Sequence, residues 1–419
     1  MSLRSIVVVG ASLAGLRAAE ELRRQGFAGT LTVVGDEPHA PYDRPPLSKQ
    51  VLSGDWDRDR IDLTVMADGG LDGLEVDWRL GVRATALDLV DRTVTLAGAE
   101  TGRLSFDGLV IATGASPRTL PGHGDLAGIH TLRTLDDCLA VRATLDATPR
   151  RVVVVGAGFI GAEVAATCRG RGLDVTLVEA LPVPLERAVG LEVGALTADI
   201  HRDHGIDVRL GVGVERIDGA ERIEQVHLAD GSAVDADLVV VGVGVAPNTA
   251  WLEGSGLTLD NGVVCDATCL AAPGVVAAGD VARWPSPRFG AALRVEHWDN
   301  AVTMGEHAAR TLLGVGAEAD TPAEPYDPVP WFWSDQYDRK IQLAGLASGA
   351  DEMRVIDGSF DERRFAAIYR KGDRISGVLA MNRPRQVVVY RKLIEANAPW
   401  AEALAIAADL AAGSGTGTG

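Results

Sequence analysis

The 419-residue sequence predicts an α/β fold built from two similar β–α–β units, the second inserted into the first, and followed by a C-terminal α+β domain. Two apolar runs each lead into a glycine-rich turn and an amphipathic helix, the pattern of a parallel β–α–β unit. Gly and Pro cluster at two points where the chain can cross between domains. After about residue 326 apolar and polar residues alternate, which predicts an antiparallel sheet.

The first unit lies at the start of the chain. Glycines in such a turn let backbone N–H groups at a helix start approach a dinucleotide pyrophosphate, and an acidic residue about 20 positions later accepts from a ribose hydroxyl. Ser12 replaces the middle glycine, and we expect this small side chain to be tolerated. The residues that form the pattern are the strand 6–9, the turn residues Gly10, Ser12 and Gly15, the strand 30–34, and Asp36.

The same pattern recurs with all three glycines, so the two copies together predict two Rossmann-like dinucleotide-binding domains. Glu179 would repel a 2′-phosphate and therefore favours NADH over NADPH, a preference that the nearby Arg187 could moderate. The alternative for either copy is a tight turn that binds nothing. The residues of the second copy are the strand 151–155, the glycines Gly156, Gly158 and Gly161, the strand 174–178, and Glu179.

Two Gly- and Pro-rich crossings, after Leu109 and after Leu238, set the predicted domain boundaries. Two different dinucleotides on one chain suggest an electron relay between a bound cofactor and one that comes and goes. The predicted segments are 1–114 with 246–325 for the first dinucleotide domain, 115–245 for the second, 326–412 for the C-terminal α+β domain, and a disordered Gly-, Ser- and Thr-rich tail at 413–419.

The net charge of −18 argues against a general role in nucleic-acid binding, because it repels phosphate backbones. From Tyr326 onward we count twelve acidic and twelve basic residues, so the negative excess lies in the first 325 residues. The C-terminal part is therefore the better face for an acidic partner. No apolar run is long enough to span a membrane.

Cys138, Cys168, Cys265 and Cys269 fit neither a disulfide framework nor a common zinc site, so we expect buried, reduced cysteines and no metal. The N-terminal residues do not form a signal peptide. These features predict a cytoplasmic protein. The first cysteine of the chain is Cys138.

Several longer motifs resemble the FAD-dependent NADH:ferredoxin reductases, of the putidaredoxin reductase and dioxygenase reductase-component type, which have a glutathione-reductase-like fold. The resemblance covers about residues 5 to 395. The motifs that carry it are the two glycine turns, Gly35-Asp36-Glu37, Arg44-Pro-Pro-Leu-Ser-Lys49, Ala112-Thr-Gly114, Gly279-Asp280, Glu296-His-Trp298-Asp-Asn300 and Trp331-Phe-Trp-Ser-Asp-Gln336.

The resemblance implies FAD in the first dinucleotide domain and NAD in the second. The implied FAD-binding residues are Gly10, Ser12, Ala14, Gly15, Asp36, Arg44, Lys49, Ala84, Thr113, Gly114, Arg133, Gly279, Asp280 and Trp298. The implied NAD-binding residues are Gly156, Gly158, Ile160, Gly161, Glu163, Glu179, Arg187 and Gly244.

The resemblance also implies catalytic roles, each with a structural alternative. A lysine ammonium beside a flavin stabilises the negative charge of the reduced ring system; otherwise Lys49 is a surface lysine. Glu163 is either directed toward the nicotinamide or a first-turn helix cap, and Trp298 and Trp331 are either flavin neighbours or core residues. We expect Trp331 and Trp333 to point to opposite faces of an extended segment, one toward the core.

The implied activity is transfer of electrons from NADH through FAD to an acidic iron-sulfur ferredoxin, bound transiently, that serves a cytochrome P450 or a ring-hydroxylating dioxygenase. Candidate contacts for this ferredoxin are Arg383, Arg385, Arg391 and Lys392, with a solvated face as the alternative. A rubredoxin reductase or an NADH oxidase of the same architecture, and a redox-responsive binding protein similar to apoptosis-inducing factor, remain open.

Overall fold

The computed structural model describes residues 3–64, 70–121, 126–315 and 323–414. The chain divides into two compact units. Unit 1 comprises residues 1–43, 58–116 and 245–328, and unit 2 comprises residues 44–57, 117–244 and 329–419. In each unit an inner strand of the parallel sheet is rich in valine, because β-branched side chains pack well on a pleated surface that is covered on both faces.

The strands are numbered in chain order. They are β1 Ser5–Val9, β2 Thr30–Gly35, β3 Asp77–Leu80, β4 Val82–Asp88, β5 Thr93–Gly98, β6 Gly102–Ser105, β7 Gly108–Ile111, β8 Ala115–Pro117, β9 Ile129–Thr131, β10 Arg151–Val155, β11 Asp174–Glu179, β12 Asp207–Leu210, β13 Val214–Gly219, β14 Ile223–Leu228, β15 Ala233–Asp235, β16 Leu238–Val241, β17 Val245–Pro247, β18 Val263–Val264, β19 Leu270–Ala272, β20 Val275–Ala277, β21 Ala282–Ser286, β22 Ala291–Leu293, β23 Trp331–Gln336, β24 Arg339–Gly345, β25 Glu352–Ser359, β26 Arg364–Lys371 and β27 Arg374–Met381.

The helices are numbered in the same way. They are α1 Leu13–Arg24, α2 Gln50–Ser53, α3 Leu135–Asp146, α4 Phe159–Gly170, α5 Glu186–Val189, α6 Leu191–Asp203, α7 Trp298–Leu313, α8 Pro384–Glu395 and α9 Trp400–Ser414. Short 3-10 helices include Pro45–Ser48 and Gly279–Val281. None of the helices in the described part of the chain is long and apolar enough to cross a membrane.

Unit 1 is organised around a six-stranded sheet in the order β19-β20-β7-β1-β2-β3. All its neighbouring strands are parallel except β19 and β20. The strand β1 lies in the middle of the sheet, and four of its five residues are buried. Helices α1 and α7 pack closely, since a Cβ on Gly305 would lie 2.5 Å from the Ala14 carbonyl oxygen.

Unit 2 contains a five-stranded parallel sheet in the order β12-β11-β10-β16-β9. It also contains an antiparallel sheet in the order β23-β24-β27-β26-β25. The antiparallel sheet and the helices α8 and α9 confirm the α+β character predicted for the C-terminal part. Of the predicted disordered tail, Gly413 and Ser414 belong to α9, and residues 415–419 lie outside the described residues.

Candidate functional site

The first glycine-rich turn connects β1 to α1 within unit 1. Gly10 has a φ of +122°, and a Cβ there would lie 2.1 Å from the Ala112 carbonyl oxygen. A Cβ on Gly15 would lie 1.8 Å from the Gly10 carbonyl oxygen. Both positions therefore require glycine, the first for its backbone conformation and the second for the close approach of helix and strand.

The start of α1 is suited to a phosphate group. Ser12 occupies the N-cap position with extended backbone, and the first helical turn carries no acidic side chain. The first N–H groups of a helix have no partner inside the helix, and the helix dipole places partial positive charge there. The pyrophosphate of a dinucleotide fits this arrangement.

Asp36 follows β2 and forms an ion pair with Arg83 on β4. The Arg83 Nε and Nη2 atoms donate to the two carboxylate oxygens at 2.9 and 2.8 Å. Asp36 raises the pKa of the Arg83 guanidinium through this contact. Both side chains are more than half exposed, so the pair holds Asp36 in one orientation while its oxygens remain open to a further donor. Ala84, the next residue on β4, is buried.

The returning segment of unit 1 lies against the first turn of α1. Gly279 has a φ of +74°, and a Cβ there would lie 3.0 Å from the Cβ of Ala14, so a larger residue would press on the helix. Asp280 follows in the same 3-10 helix. The structure therefore brings together Ala14 and Gly279, two of the predicted FAD-binding residues.

Trp298 is the first residue of α7. Its indole Nε1 donates to Asp43 Oδ1 at 2.7 Å, and its ring packs beside the cluster of Leu13 and Leu16. Trp298 thus has a fixed polar partner as well as packing contacts.

The crossing after β7 is held by Asn248. Its side-chain Nδ2 donates to the Thr113 carbonyl oxygen at 2.8 Å, and the Thr113 hydroxyl donates to the Asn248 carbonyl oxygen at 2.9 Å. The Asn248 backbone N–H donates to the carbonyl oxygen of Gly114 at 3.0 Å. Three hydrogen bonds thus fix Thr113 and Gly114 within unit 1.

The second glycine-rich turn, in unit 2, repeats the geometry of the first with one difference. A Cβ on Gly156 would lie 2.4 Å from the Gly242 carbonyl oxygen, and one on Gly161 would lie 1.9 Å from the Gly156 carbonyl oxygen. A Cβ on Gly158 would meet no protein atom within 4 Å. Gly158 is therefore not required by packing, and it leaves open space at the helix start, where a pyrophosphate fits.

Glu179, at the end of β11, is held against this turn. Its Oε2 accepts from the Ala157 N–H at 2.7 Å, and its Oε1 accepts from the Leu181 N–H at 2.9 Å. Two backbone donors thus fix the carboxylate beside the glycine turn, where a ribose hydroxyl would be recognised. Ile160 in the first turn of α4, Arg187 on α5 and Gly244 after β16 are exposed within the same unit.

Glu163 is the centre of a buried polar cluster in unit 2. Its side chain is 4% exposed, and Lys49 Nζ lies 2.9 Å from its Oε2 with the Lys49 side chain 12% exposed. The Ser48 hydroxyl donates to the same oxygen at 2.5 Å. The Ser334 hydroxyl donates to Oε1 at 2.8 Å, and the Asp335 N–H donates to Oε1 at 3.3 Å.

These contacts rule out the structural alternatives stated for Lys49 and Glu163. Lys49 is not a surface lysine, because it is largely buried and paired. Glu163 is not a first-turn cap, because α4 begins at Phe159 and its first turn contains no acidic residue. Removing either partner would leave a buried charge unpaired, which costs about 3–5 kcal/mol in comparable sites.

Arg44 and Arg133 are joined within unit 2. The Arg44 Nη1 donates to the Arg133 carbonyl oxygen at 2.7 Å. The Arg133 N–H donates to Asp137, which also completes the capping box at the start of α3. Arg133 is therefore positioned by a helix cap, and its carbonyl positions Arg44.

The two tryptophans of β23 correct one prediction. The prediction that Trp331 and Trp333 point to opposite faces is wrong: their ring centroids lie 5.1 Å apart with planes at 31°, and both residues occupy one half-exposed face. Side chains alternate along a strand, and residues two apart therefore share a face. Phe332 points to the other face and packs on Phe159 with ring centroids 4.3 Å apart.

The four cysteines are free and buried. Burial raises the pKa of the Cys138, Cys168 and Cys265 thiols to about 12, and it raises the pKa of Cys269 as well. No group of three or more potential metal ligands occurs among the residues that the structure describes. Deprotonation of these four thiols is therefore disfavoured near neutral pH.

Ser48, Arg83, Asn248 and Ser334 are functional candidates that the sequence does not indicate. Ser48 and Ser334 lie inside the longer motifs and Asn248 follows the second Gly- and Pro-rich crossing, but a serine or asparagine there carries no chemical signal of its own. Their importance depends on partners far along the chain. Ser334 and Glu163, for example, are 171 positions apart.

Comparison with known proteins places the chain in a family. The profile described as pyridine nucleotide-disulphide oxidoreductase matches residues 4–305. The chain belongs to the pyridine nucleotide-disulphide oxidoreductases. A second profile, described as reductase C-terminal, matches residues 331–412 of this oxidoreductase. The family uses FAD and NAD(H), which confirms the cofactor prediction.

The relatives of this oxidoreductase match almost its whole length. It is 39% identical to rhodocoxin reductase of Rhodococcus erythropolis, over 94% of this chain and 90% of the relative. It is 37% identical to the ferredoxin–NAD(+) reductase component of an anthranilate 1,2-dioxygenase system of Burkholderia cepacia, over 95% and 96%. These matches confirm the resemblance to the ferredoxin reductases.

A solved structure shows the same architecture. The covalent complex of putidaredoxin reductase with putidaredoxin contains a chain that matches this oxidoreductase with a TM-score of 0.87 and 33% identity, covering 94% of each chain. The predicted fold class, two dinucleotide-binding domains with a C-terminal α+β domain, is therefore confirmed.

Proposed function

We propose that this oxidoreductase is an NADH-dependent ferredoxin reductase, which transfers electrons from NADH to a [2Fe-2S] ferredoxin that serves a cytochrome P450 or a ring-hydroxylating dioxygenase. The observation that carries the proposal is the presence of two glycine-rich turns of dinucleotide-binding geometry in a chain whose cysteines are all buried. Without an accessible thiol, electrons leave by an acceptor outside the chain. The relatives named for ferredoxin reduction support this acceptor.

Different residues of the chain would bind different parts of FAD. FAD, when bound, supplies the conversion of a two-electron donor into one-electron transfers. The turn at Gly10 and Ser12, with Ala14, Gly15 and Gly279, would hold its pyrophosphate, and Asp36 the adenosine ribose. By the resemblance, Asp280 would hold the ribityl chain, and Lys49 would lie beside the ring system and supply a fixed positive charge.

The second turn would hold NADH. Gly158 leaves room for the pyrophosphate, and Glu179 would accept from the adenosine ribose hydroxyls while repelling a 2′-phosphate. Glu163 would be directed toward the nicotinamide, and Trp298 and Trp331 would lie near the flavin. The domain boundaries 1–114 with 246–325, 115–245 and 326–412 belong to the same proposal.

Helix α8 offers a face for an acidic ferredoxin. Arg385, Val388 and Lys392 are exposed at spacings of three and four residues, so they share one side of the helix. The other two predicted contacts already have acidic partners, since Arg383 pairs with Asp357 and Arg391 with Glu395. We propose that Arg385 and Lys392 form the charged part of a transient docking surface.

We propose a cytoplasmic location. The four cysteines support it, because buried free thiols are typical of proteins from reducing compartments.

The test is an anaerobic titration of the FAD-loaded protein with NADH, followed by visible absorbance, with oxidised [2Fe-2S] ferredoxin then added to the same cuvette. Bleaching of the flavin bands by NADH, and their return as the ferredoxin becomes reduced, would support the proposal. Bleaching without ferredoxin reduction would keep the nucleotide assignments and reject the acceptor. A protein that binds no flavin would overturn the proposal.

A further inference from the structure

Ser334 lies on the buried side of β23, where the alternation of the strand places it between Phe332 and Gln336. Its side chain has no exposed surface. The hydroxyl donates to Glu163 Oε1 at 2.8 Å, which makes it the closest donor to that oxygen among the described residues. A hydrogen bond from a hydroxyl to a buried carboxylate is among the stronger ones in proteins.

A second contact fixes the direction of this hydrogen bond. The Gln336 side-chain Nε2 donates to the Ser334 hydroxyl oxygen at 3.2 Å, and Gln336 is itself buried. An amide NH₂ can only donate, so the Ser334 proton is directed at the carboxylate. The hydroxyl therefore acts as a donor to Glu163 and not as an acceptor from it.

The two carboxylate oxygens have different partners. Oε1 is held from β23 by Ser334 and the Asp335 N–H, whereas Oε2 is held by Ser48 and Lys49. Rotation of the carboxylate would break contacts on both sides at once. The orientation of Oε2, and with it the position of the Lys49 ammonium, thus depends on the donors to Oε1.

We propose that Ser334 is a positioning residue for electron transfer from NADH. Through Glu163 it holds the Lys49 ammonium in the position from which, in the proposed function, Lys49 supplies a fixed positive charge to the flavin. The inference rests on the proposed function, because the reaction that Ser334 serves is the one proposed above. Ser334 touches neither nucleotide in this account and acts only through its hydrogen bond.

The chain offers a matched control. Ser376 lies on β27 of the same sheet and is 8% exposed. Its hydroxyl has no hydrogen-bond partner in the described part of the chain. Ser334→Ala and Ser376→Ala therefore remove the same buried atom from one sheet, and only the first removes a donor to Glu163.

The first measurement is stopped-flow reduction of the FAD-loaded proteins by NADH. Ser334→Ala should slow reduction about tenfold, the value of one hydrogen bond to a charged group, and Ser334→Thr should restore it by restoring the hydroxyl. Ser376→Ala should reduce at the wild-type rate. In a Lys49→Met background, Ser334→Ala should cause less than about a threefold further loss, because the group that it positions is already absent.

The second measurement uses urea unfolding of the apo-proteins and is independent of flavin chemistry. Ser334→Ala should raise the unfolding equilibrium constant about tenfold, and Ser376→Ala should leave it nearly unchanged, because that hydroxyl makes no bond to lose. Equal effects of the two variants on the unfolding equilibrium constant would show that the hydrogen bond from Ser334 to Glu163 contributes nothing measurable. That result would overturn the positioning role of Ser334.

The outcomes separate the two proposals. If NADH reduces the flavin of the wild-type protein, an unchanged reduction rate in Ser334→Ala would overturn the role of Ser334 alone. The same conclusion would follow if the rate losses of Ser334→Ala and Lys49→Met were fully additive. Wild-type flavin that NADH does not reduce would overturn the proposed function and this role together, whatever the unfolding data show.

Discussion

Glu179 is a carboxylate whose position is set by backbone groups. Because the N–H groups of Ala157 and Leu181 hold its two oxygens, Glu179 would not need to rearrange to carry out the cofactor discrimination proposed for it. We expect Glu179→Gln to reduce the preference for NADH over NADPH in kcat/KM by about tenfold, since the variant loses a charge repulsion of roughly 1.4 kcal/mol. The measurement is the ratio of the two kcat/KM values, with Glu192→Gln, an exposed glutamate on α6, as the control. An unchanged ratio in Glu179→Gln would reject the assignment.

Burial of the His201 side chain makes the stability of the folded protein depend on pH in the acid range. It has no exposed surface, its Nδ1 is 2.9 Å from the Tyr337 hydroxyl, and burial lowers its pKa to about 4 from an ordinary 6.5. The unfolded chain therefore binds a proton between these values that the folded protein does not, so stability falls as the pH falls from about 6.5 to 4.

We expect this histidine to account for up to roughly 3 kcal/mol of that loss. His201→Gln should flatten the decline in unfolding free energy between pH 6.5 and 4, measured by urea unfolding at several pH values. A variant with the same slope as the wild type would show that His201 does not carry this pH dependence.

At the scale of elements, we expect two glycines of the β10–α4 turn to have different roles. Gly156 is needed for the fold, and Gly158 is needed for NADH binding. Gly158→Ala places a methyl group in open space, whereas Gly156→Ala forces a φ of +97° on a residue whose Cβ would lie 2.4 Å from a carbonyl oxygen. We expect Gly158→Ala to retain its stability within about 1 kcal/mol while losing at least about tenfold in NADH affinity. We expect Gly156→Ala to lose more than about 2 kcal/mol of unfolding free energy.

Urea unfolding and NADH titration of both variants test this division. NADH affinity preserved in Gly158→Ala would mean that no pyrophosphate lies at the helix start. Stability preserved in Gly156→Ala would mean that the turn can relax.

The elements also show how far the sequence could be used. The turns at Gly10 and Gly156 were predictable because strand, glycines and helix are consecutive, and local sequence determines them. The cluster around Glu163 was not predictable, because Ser48 and Ser334 lie 115 and 171 positions away in the chain. The orientation of Trp331 and Trp333 could have been obtained from the two-residue period of a strand, and the prediction misapplied that period.

At the scale of the whole molecule, we expect that none of the four cysteine thiols takes part in electron transfer. All four are buried, with raised thiol pKa values, so thiolate formation near pH 8 is suppressed. We expect the native protein to react with less than one equivalent of a thiol-disulfide reagent, and iodoacetamide to leave the rate of flavin reduction by NADH unchanged. Loss of that rate on alkylation, with the fold intact, would place a thiol in the electron path.

The carboxylate of Glu163 also bears on how related reductases can be recombined. Glu163 lies on α4, and its donors come from the Ser48–Lys49 segment and from β23, so a chimeric enzyme can take these three stretches from different parents. A hybrid with a foreign C-terminal segment and no hydroxyl at position 334 would leave Glu163 Oε1 with only the more distant backbone N–H of residue 335 among the donors in the described part of the chain. We therefore expect compatibility between parents to depend on whether this buried oxygen keeps its donors, and not on overall identity alone.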